Sequence, residues 1–205
     1  MVTSIGLSPR RDHRDVVVAA IEGGASAIQL RAPELRDDDL LPLATELALL
    51  CREPGVLFIV NDRLDVALAS GANGVHLGQR DDLEHARARI GDSRILGISV
   101  DDVEEARAAE AAGADYLGVT VWATPTKPEA VPHDLEGIRA IVGATELPVV
   151  GIGGIEAANA GLVIAAGAAG VAVVSAVAAA DDPVDATREL VAVVRGAVSA
   201  RGGSP

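Results

Sequence analysis

The chain has 205 residues, 49% hydrophobic and 23% charged, which fits one globular domain and excludes a disordered polymer. Its 30 acidic and 17 basic side chains leave a net charge of −13, arguing against nucleic acid and anionic membranes as partners. No apolar run approaches the roughly 20 residues of a membrane span, the N-terminus lacks an apolar signal-like core, and the sole cysteine, Cys51, excludes an intramolecular disulfide and a thiolate zinc site. A cytoplasmic chain of one domain, 1–205, with a flexible tail over 200–205, is expected.

A degenerate apolar start near Val2–Leu7 opens the chain. Seven β-branched runs follow: SAIQL, VLFIV, NGVHL, RILGIS, DYLGV, PVVGI and GVAVVS. Helical spacing fills the intervals, with Leu40, Leu43, Leu47 and Leu50, then Val103, Ala106 and Ala109, then Val184, Leu190, Val194 and Val198. Acidic residues mark helix starts at Asp37, Asp82, Asp101 and Asp181–Asp182, and glycines mark helix ends at Gly71, Gly113 and Gly167. The pieces GASAIQL, GANGVHL, GADYLGV and GAAGVAVV repeat one unit, a glycine turn leading into a buried strand. Eight such β/α units predict an α/β fold, a (β/α)8 TIM barrel whose first strand is truncated. A doubly wound sheet is the alternative, weakened because no G-x-G-x-x-G follows the first strand.

In such barrels the active site lies where strands end. The rim carries Gln29 and Arg31, Asn61 and Asp62, His76, Gln79 and Asp81, Ser99, the loop with Thr124, Thr126 and Lys127, the Gly151-Ile-Gly-Gly154 turn, and Val174–Ser175. Both glutamines and the only lysine fall there, while 16 of the 17 basic residues are arginine. Backbone N–H groups at Gly153–Gly154 and Val174–Ser175 suit a phosphate. Asp62 and Asp81 suit Mg²⁺, which takes one or two carboxylates plus substrate phosphates. Arg31, Ser99 and Lys127 would meet the remaining phosphate oxygens. Two phosphate sites, one with a metal, point to transfer between two phosphorylated substrates. Other readings stay open: Asp62, Asp81 or Asp82 as helix caps, Gln29 and Asn61 as partners for backbone groups, and His76 as a hydrogen-bonded structural residue. Trp122 is a pocket wall or a lid anchor. His13, His85 and His133 are expected on the surface, and Cys51 as a small buried hydrophobe.

Over about residues 13–190 the chain resembles the thiamine phosphate synthase/TenI family. The resemblance rests on Gln29-Leu-Arg31, Asn61-Asp-Arg-Leu-Asp-Val-Ala-Leu-Ala, Gly74-Val-His-Leu-Gly-Gln-Arg-Asp81, Gly97-Ile-Ser99, Ala114-Asp-Tyr-Leu-Gly118, Thr124-Pro-Thr-Lys127 and Gly151-Ile-Gly-Gly-Ile155, in that order. It implies a (β/α)8 barrel. It also implies a transferase that condenses hydroxymethylpyrimidine diphosphate with thiazole phosphate, releasing pyrophosphate through a dissociative, carbocation-like state. In the family pattern Asp62 and Asp81 hold Mg²⁺. Gln29, Arg31, Asn61, Ser99 and Lys127 meet the pyrimidine diphosphate, with Lys127, Arg31 and Ser99 acting on the leaving group. Thr124, Thr126, Gly154, Val174 and Ser175 meet the thiazole phosphate. Pro33 stands where the family motif has a second lysine, and Val119-Thr120 replaces a Gly-Pro.

Three rivals remain: a TenI-like thiazole tautomerase or a synthase of altered substrate, a Schiff-base aldolase using Lys127, and a barrel that binds phosphorylated ligands without turnover. Small phosphorylated molecules are the expected partners, and a homo-oligomer stays open.

Overall fold

In the computed structural model, which describes residues 1–4, 7, 11–78, 81–124 and 131–202, strands and helices alternate along the chain. After α1 (His13–Glu22) come β1 (Ala27–Leu30), α2 (Asp37–Arg52), β2 (Leu57–Asn61), α3 (Leu64–Ser70), β3 (Gly74–Leu77), α4 (Leu83–Ile90), β4 (Ile95–Ser99), α5 (Val103–Ala111) and β5 (Tyr116–Thr120). Then follow α6 (Asp134–Val142), β6 (Val149–Ile152), α7 (Ala157–Ala165), β7 (Gly170–Val171), α8 (Ser175–Ala178) and α9 (Pro183–Gly202). All seven strands are parallel and pair in chain order. Short βαβ crossovers allow that order and no hairpin.

Among the described residues of the degenerate start, 1–4 and 7, no full strand forms. The segment makes one parallel bridge, Val2 to Gln29, and closes the sheet from both sides. Val2 N donates to Val173 O at 2.9 Å on the β7 side, and Thr3 N donates to Gln29 O at 2.9 Å on the β1 side. The expected barrel is therefore present, with three residues doing the closing in place of a first strand. α9 continues to Gly202, into the span expected as a tail, and residues 203–205 lie outside the described part.

Strand alternation sorts the side chains into two layers. Ile28, Leu30, Phe58, Val60, Leu96, Ile98 and Leu117 point outward and are fully buried against the helices. Ala44 and Leu47 of α2, Ala106 and Ala109 of α5, and Val163 of α7 close on them and complete one core. With almost no aromatics, this layer is built from Ala, Val, Ile and Leu, and Phe58 is its only buried large ring. The inward positions combine small and polar residues such as Gln29, Asn61, Ser99 and Gly118 with Ile59, Ile95, Val150 and Ile152, and they enclose an open centre.

Local signals set the element ends. Asp82 caps α4 by accepting from His85 N at 2.9 Å, and Asp102, rather than Asp101, caps α5 through Glu105 N at 2.8 Å. Asp182 accepts from Val184 N and Asp185 N at the start of α9. Gly71 ends α3 in the left-handed region that a side chain disfavours. Arginines tie carbonyls across segments. Arg87 reaches the carbonyls of Gly91, Arg94 and Gly113 and pairs with Asp115 at 2.6 Å, beneath β4 and β5.

Two surface assignments change. His13 is buried, its Nε2 3.0 Å from Glu34 Oε1, because the first turn of α1 packs against the β1–α2 loop. His133 is half-buried, 3.5 Å from Asp101, where the chain re-enters α6. His85 is exposed and Cys51 is buried, as expected. Burial pushes the Cys51 thiol up to about 11. Among the described residues no helix is long and apolar enough to cross a membrane.

Candidate active site

A cavity of about 520 Å³ occupies the barrel interior and opens at the strand ends. Of the residues expected at the site, Gln29, Arg31, Asn61, Ser99, Thr124, Gly154, Val174 and Ser175 line it. Six different strands, or the loops that follow them, bring these positions together. Thr126 and Lys127, like Gln79, lie outside the described residues.

Each wall is held by backbone contacts. Thr3, fully buried in the closing segment, accepts from Arg31 N at 3.1 Å and so fixes the base of the Arg31 side chain. On the opposite side, Gly153 and Gly154 turn after β6 with φ of 91° and 65°. A Cβ at Gly153 would lie 2.7 Å from Trp122 O, and one at Gly154 would lie 3.0 Å from Trp122 Cβ. Both the φ values and the close approach require glycine. Trp122 does not line the cavity. It packs partly buried against the core, and its N donates to Gly153 O at 3.3 Å, so it anchors the β5–α6 loop to this turn. Asn159 completes the turn, donating to Gly154 O and accepting from Glu156 N, both at 2.9 Å. Val174 and the first residue of α8, Ser175, face it across the mouth. A short extra helix beside the loops after the last two strands is where phosphate binds in many such barrels.

Asp62 and Asp81 stand exposed at the ends of β2 and β3, outside the cavity lining. Asp62 has a left-handed φ of 61°, and its N donates to His76 O at 2.9 Å. Capping does not explain it, since α3 has no side-chain cap. Asp81 accepts from Gly78 N at 2.8 Å, and the cap of α4 is Asp82. Among the described residues no group of three or more His, Cys, Asp or Glu side chains is placed to hold a metal. A pair of carboxylates with hard oxygen donors still fits Mg²⁺, which retains waters and borrows phosphate oxygens.

Sequence reasoning passed over Tyr116. It sits at the start of β5, away from the rim, yet its ring turns into the cavity. His76 Nδ1 lies 2.9 Å from Tyr116 Oη, and His76 Nε2 lies 3.0 Å from Ser99 Oγ. Burial pushes the Tyr116 phenol well above its ordinary range, opposed by a side-chain hydrogen bond from Gln29. The readable signal was opposite it on β4: a Cβ at Gly97 would lie 2.2 Å from the Tyr116 ring. A Cβ at Gly118 would likewise lie 3.0 Å from His76 Cε1. Glycine at both positions makes room for the pair.

Closed parallel strands, a polar mouth and two facing walls define a (β/α)8-barrel protein with its site at the C-terminal strand ends. The chain belongs to the thiamine monophosphate synthase family, whose model matches residues 1–177. It is 51% identical to the thiamine-phosphate synthase of Chloroflexus aurantiacus over 95% of this chain and 91% of that protein. It is 49% identical to that of Moorella thermoacetica over 95% of this chain and 94% of that protein. The solved thiamine phosphate pyrophosphorylase from Pyrococcus furiosus superposes with a TM-score of 0.89 at 42% identity, covering 96% of this chain and 95% of that one.

Proposed function

We propose that this barrel joins hydroxymethylpyrimidine diphosphate to thiazole phosphate, giving thiamine phosphate and pyrophosphate. The observation that carries the reading is the pair of walls. Gln29, Arg31, Asn61 and Ser99 face the Gly153–Gly154 turn and Ser175 across one cavity, a spacing suited to two phosphorylated partners. Gln29 and Asn61 orient the pyrimidine by its polar edge. Arg31 and Lys127 neutralise the diphosphate, and Ser99 donates to one of its oxygens. The Gly153–Gly154 turn and Ser175 take the thiazole phosphate through backbone N–H groups, setting the thiazole nitrogen toward the methylene carbon.

The C–O bond to the diphosphate breaks, and its electron pair leaves with pyrophosphate. The nitrogen lone pair then forms the new N–C bond. Charge develops mainly on the leaving group, so donors aimed there matter more than a general base. Asp62 and Asp81 are the residues that would hold Mg²⁺, which supplies charge neutralisation at the diphosphate when bound.

The test mixes purified protein, both precursors and Mg²⁺ and measures thiamine phosphate by chromatography. Formation that stops in excess EDTA is expected. Isomerisation of a thiazole carboxylate phosphate without coupling would move the assignment to a tautomerase, and absence of both activities would leave a binding protein.

A further inference from the structure

The wall assigned to the thiazole phosphate is the part of the barrel least held by the sheet. β7 has only two residues, Gly170 and Val171. Beyond them, Ala172 N donates to Gly151 O at 2.8 Å and Val173 O accepts from Val2 N at 2.9 Å. After Val173 the chain leaves the sheet. The backbone bonds of the next turn run within the turn itself. Val177 N and Ala178 N donate to Val174 O, Ala179 N to Ser175 O, and Ala180 N to Val177 O. Val177 and Ala178 are buried beneath it. Apolar burial is non-directional, so it does not by itself fix which way Ser175 faces.

Arg11 supplies directional contacts to this turn. Its Nη1 donates to Ala180 O at 2.6 Å and to Ala178 O at 3.4 Å, and its Nη2 donates to Asp181 O at 2.7 Å. The last carbonyls of a helix have no partner inside it, and a cation placed there also meets their partial negative charge. One guanidinium spanning three carbonyls uses the planar fork that lysine lacks. Arg11 is itself held in place, because the next residue, Asp12, is the N-cap of α1. Asp12 Oδ1 accepts from Asp15 N at 2.9 Å, and Asp15 Oδ2 accepts from Asp12 N at 3.1 Å. The start of α1 and the end of α8 are thereby joined across the seam where the sheet closes. Arg11 does not line the cavity.

We infer that Arg11 is a positioning residue for the thiazole phosphate. It ties the turn over 174–178 to the start of α1, so that Ser175 keeps its place opposite the Gly153–Gly154 turn. The inference rests on the proposed function for the identity of the phosphate, and on the hydrogen bonds alone for the tether. The pyrimidine diphosphate wall is carried by other elements, β1, β2 and β4, so the effect is confined to one substrate. A contact that serves the ground state and the transition state equally acts on KM and leaves kcat unchanged.

The test is made on the whole protein, with each substrate varied in turn. Arg11→Ala is expected to raise KM for the thiazole phosphate by about tenfold, the size of one lost charge-assisted hydrogen bond. KM for the pyrimidine diphosphate and kcat should stay within about twofold of the parent. Arg11→Lys, which keeps the charge and loses the fork, should fall between. Guanidinium ion added to Arg11→Ala below its denaturing concentration should restore part of the lost affinity. Arg14→Ala is the control: it removes an equal charge from α1, from an exposed pair with Glu46, and should leave both KM values unchanged. Calorimetric titration with thiazole phosphate alone reads the same loss without turnover. An unchanged KM for the thiazole phosphate in Arg11→Ala, or equal rises for both substrates, overturns the tether. If Arg11→Ala does not fold, the two KM values of Arg11→Lys decide by the same criterion. A parent that binds thiazole phosphate but makes no thiamine phosphate overturns the proposed function, and the titrations then decide the tether on their own. A parent that does not bind it overturns both.

Discussion

Asp62 combines an unfavourable backbone with an exposed carboxylate. Its φ of 61° is tolerated by asparagine almost as well as by aspartate. Asp62→Asn therefore removes charge without changing the backbone preference. It is expected to keep the parent's stability within about 0.5 kcal/mol, while coupling activity falls sharply; parallel thermal melts and turnover assays check both halves. Lys127 calls for the complementary test. With Pro33 at the position where the family resemblance expects a second lysine, the proposed role of Lys127 is to carry more of the diphosphate charge. Lys127→Ala should lower kcat by ~10²-fold or more. Lys127→Arg should also be impaired, because a planar guanidinium does not replace a compact ammonium. A Lys127→Ala variant within about threefold of the parent, against that ~10²-fold, would make the lysine a solvated loop residue.

Among the elements, the inner face of the strands shows how small residues build a site. A Cβ at Gly97 would lie 2.2 Å from the Tyr116 ring, whereas one at Gly170 would meet nothing within 4 Å. Gly97→Ala is thus expected to cost about 1–3 kcal/mol through overpacking, and to displace Tyr116 from His76. Gly170→Ala should be near neutral in stability. Urea unfolding of the two variants separates them, and equal effects would show that the inner face is not tightly packed at Gly97. At the start of α7, Asn159 serves both the Glu156 amide and the Gly154 carbonyl. Asn159→Ala should cost about 1 kcal/mol as a lost cap, and should raise KM for the thiazole phosphate more than KM for the pyrimidine diphosphate. Kinetics with each substrate varied in turn would show the asymmetry.

For the molecule as a whole, one buried thiol gives a handle on stability. Cys51 is 1% exposed within the layer between α2 and the sheet, and its pKa is raised to about 11 because burial disfavours the thiolate. The unfolded chain releases this proton near the ordinary thiol value, and the folded chain only at about 11. The folded state therefore binds more protons in that window, so its contribution to stability is complete at lower pH and is lost as pH rises through it. The melting temperature should decline between about pH 8.5 and the raised value, and more shallowly in Cys51→Ala. At neutral pH the native thiol should resist a disulfide reagent, and one equivalent should react in denaturant. Rapid native reaction would mean that the layer opens readily.

The αβ repeat was legible in the sequence because each strand's outward face must be apolar and each helix needs its own start and stop. Ile28, Phe58, Leu96 and Leu117 wrote that pattern, and Gly71, Gly113 and Gly167 punctuated it. The rim was legible because strand ends follow directly from strand positions, so Gln29, Arg31, Asn61, Ser99, Gly154 and Ser175 could be placed at one mouth before any contact was known. What lay beyond local pattern was decided by closure of the sheet. Three residues, Met1–Thr3, suffice to bridge β7 to β1, because the flanking strands already present unpaired backbone groups on both sides. Burial of His13 depended on a loop twenty residues away. The line from Tyr116 through His76 to Ser99 joins three different strands, β5, β3 and β4. No spacing along the chain encodes that line. It exists because a closed barrel turns alternate residues of every strand toward one axis, where side chains distant in sequence come within hydrogen-bond reach.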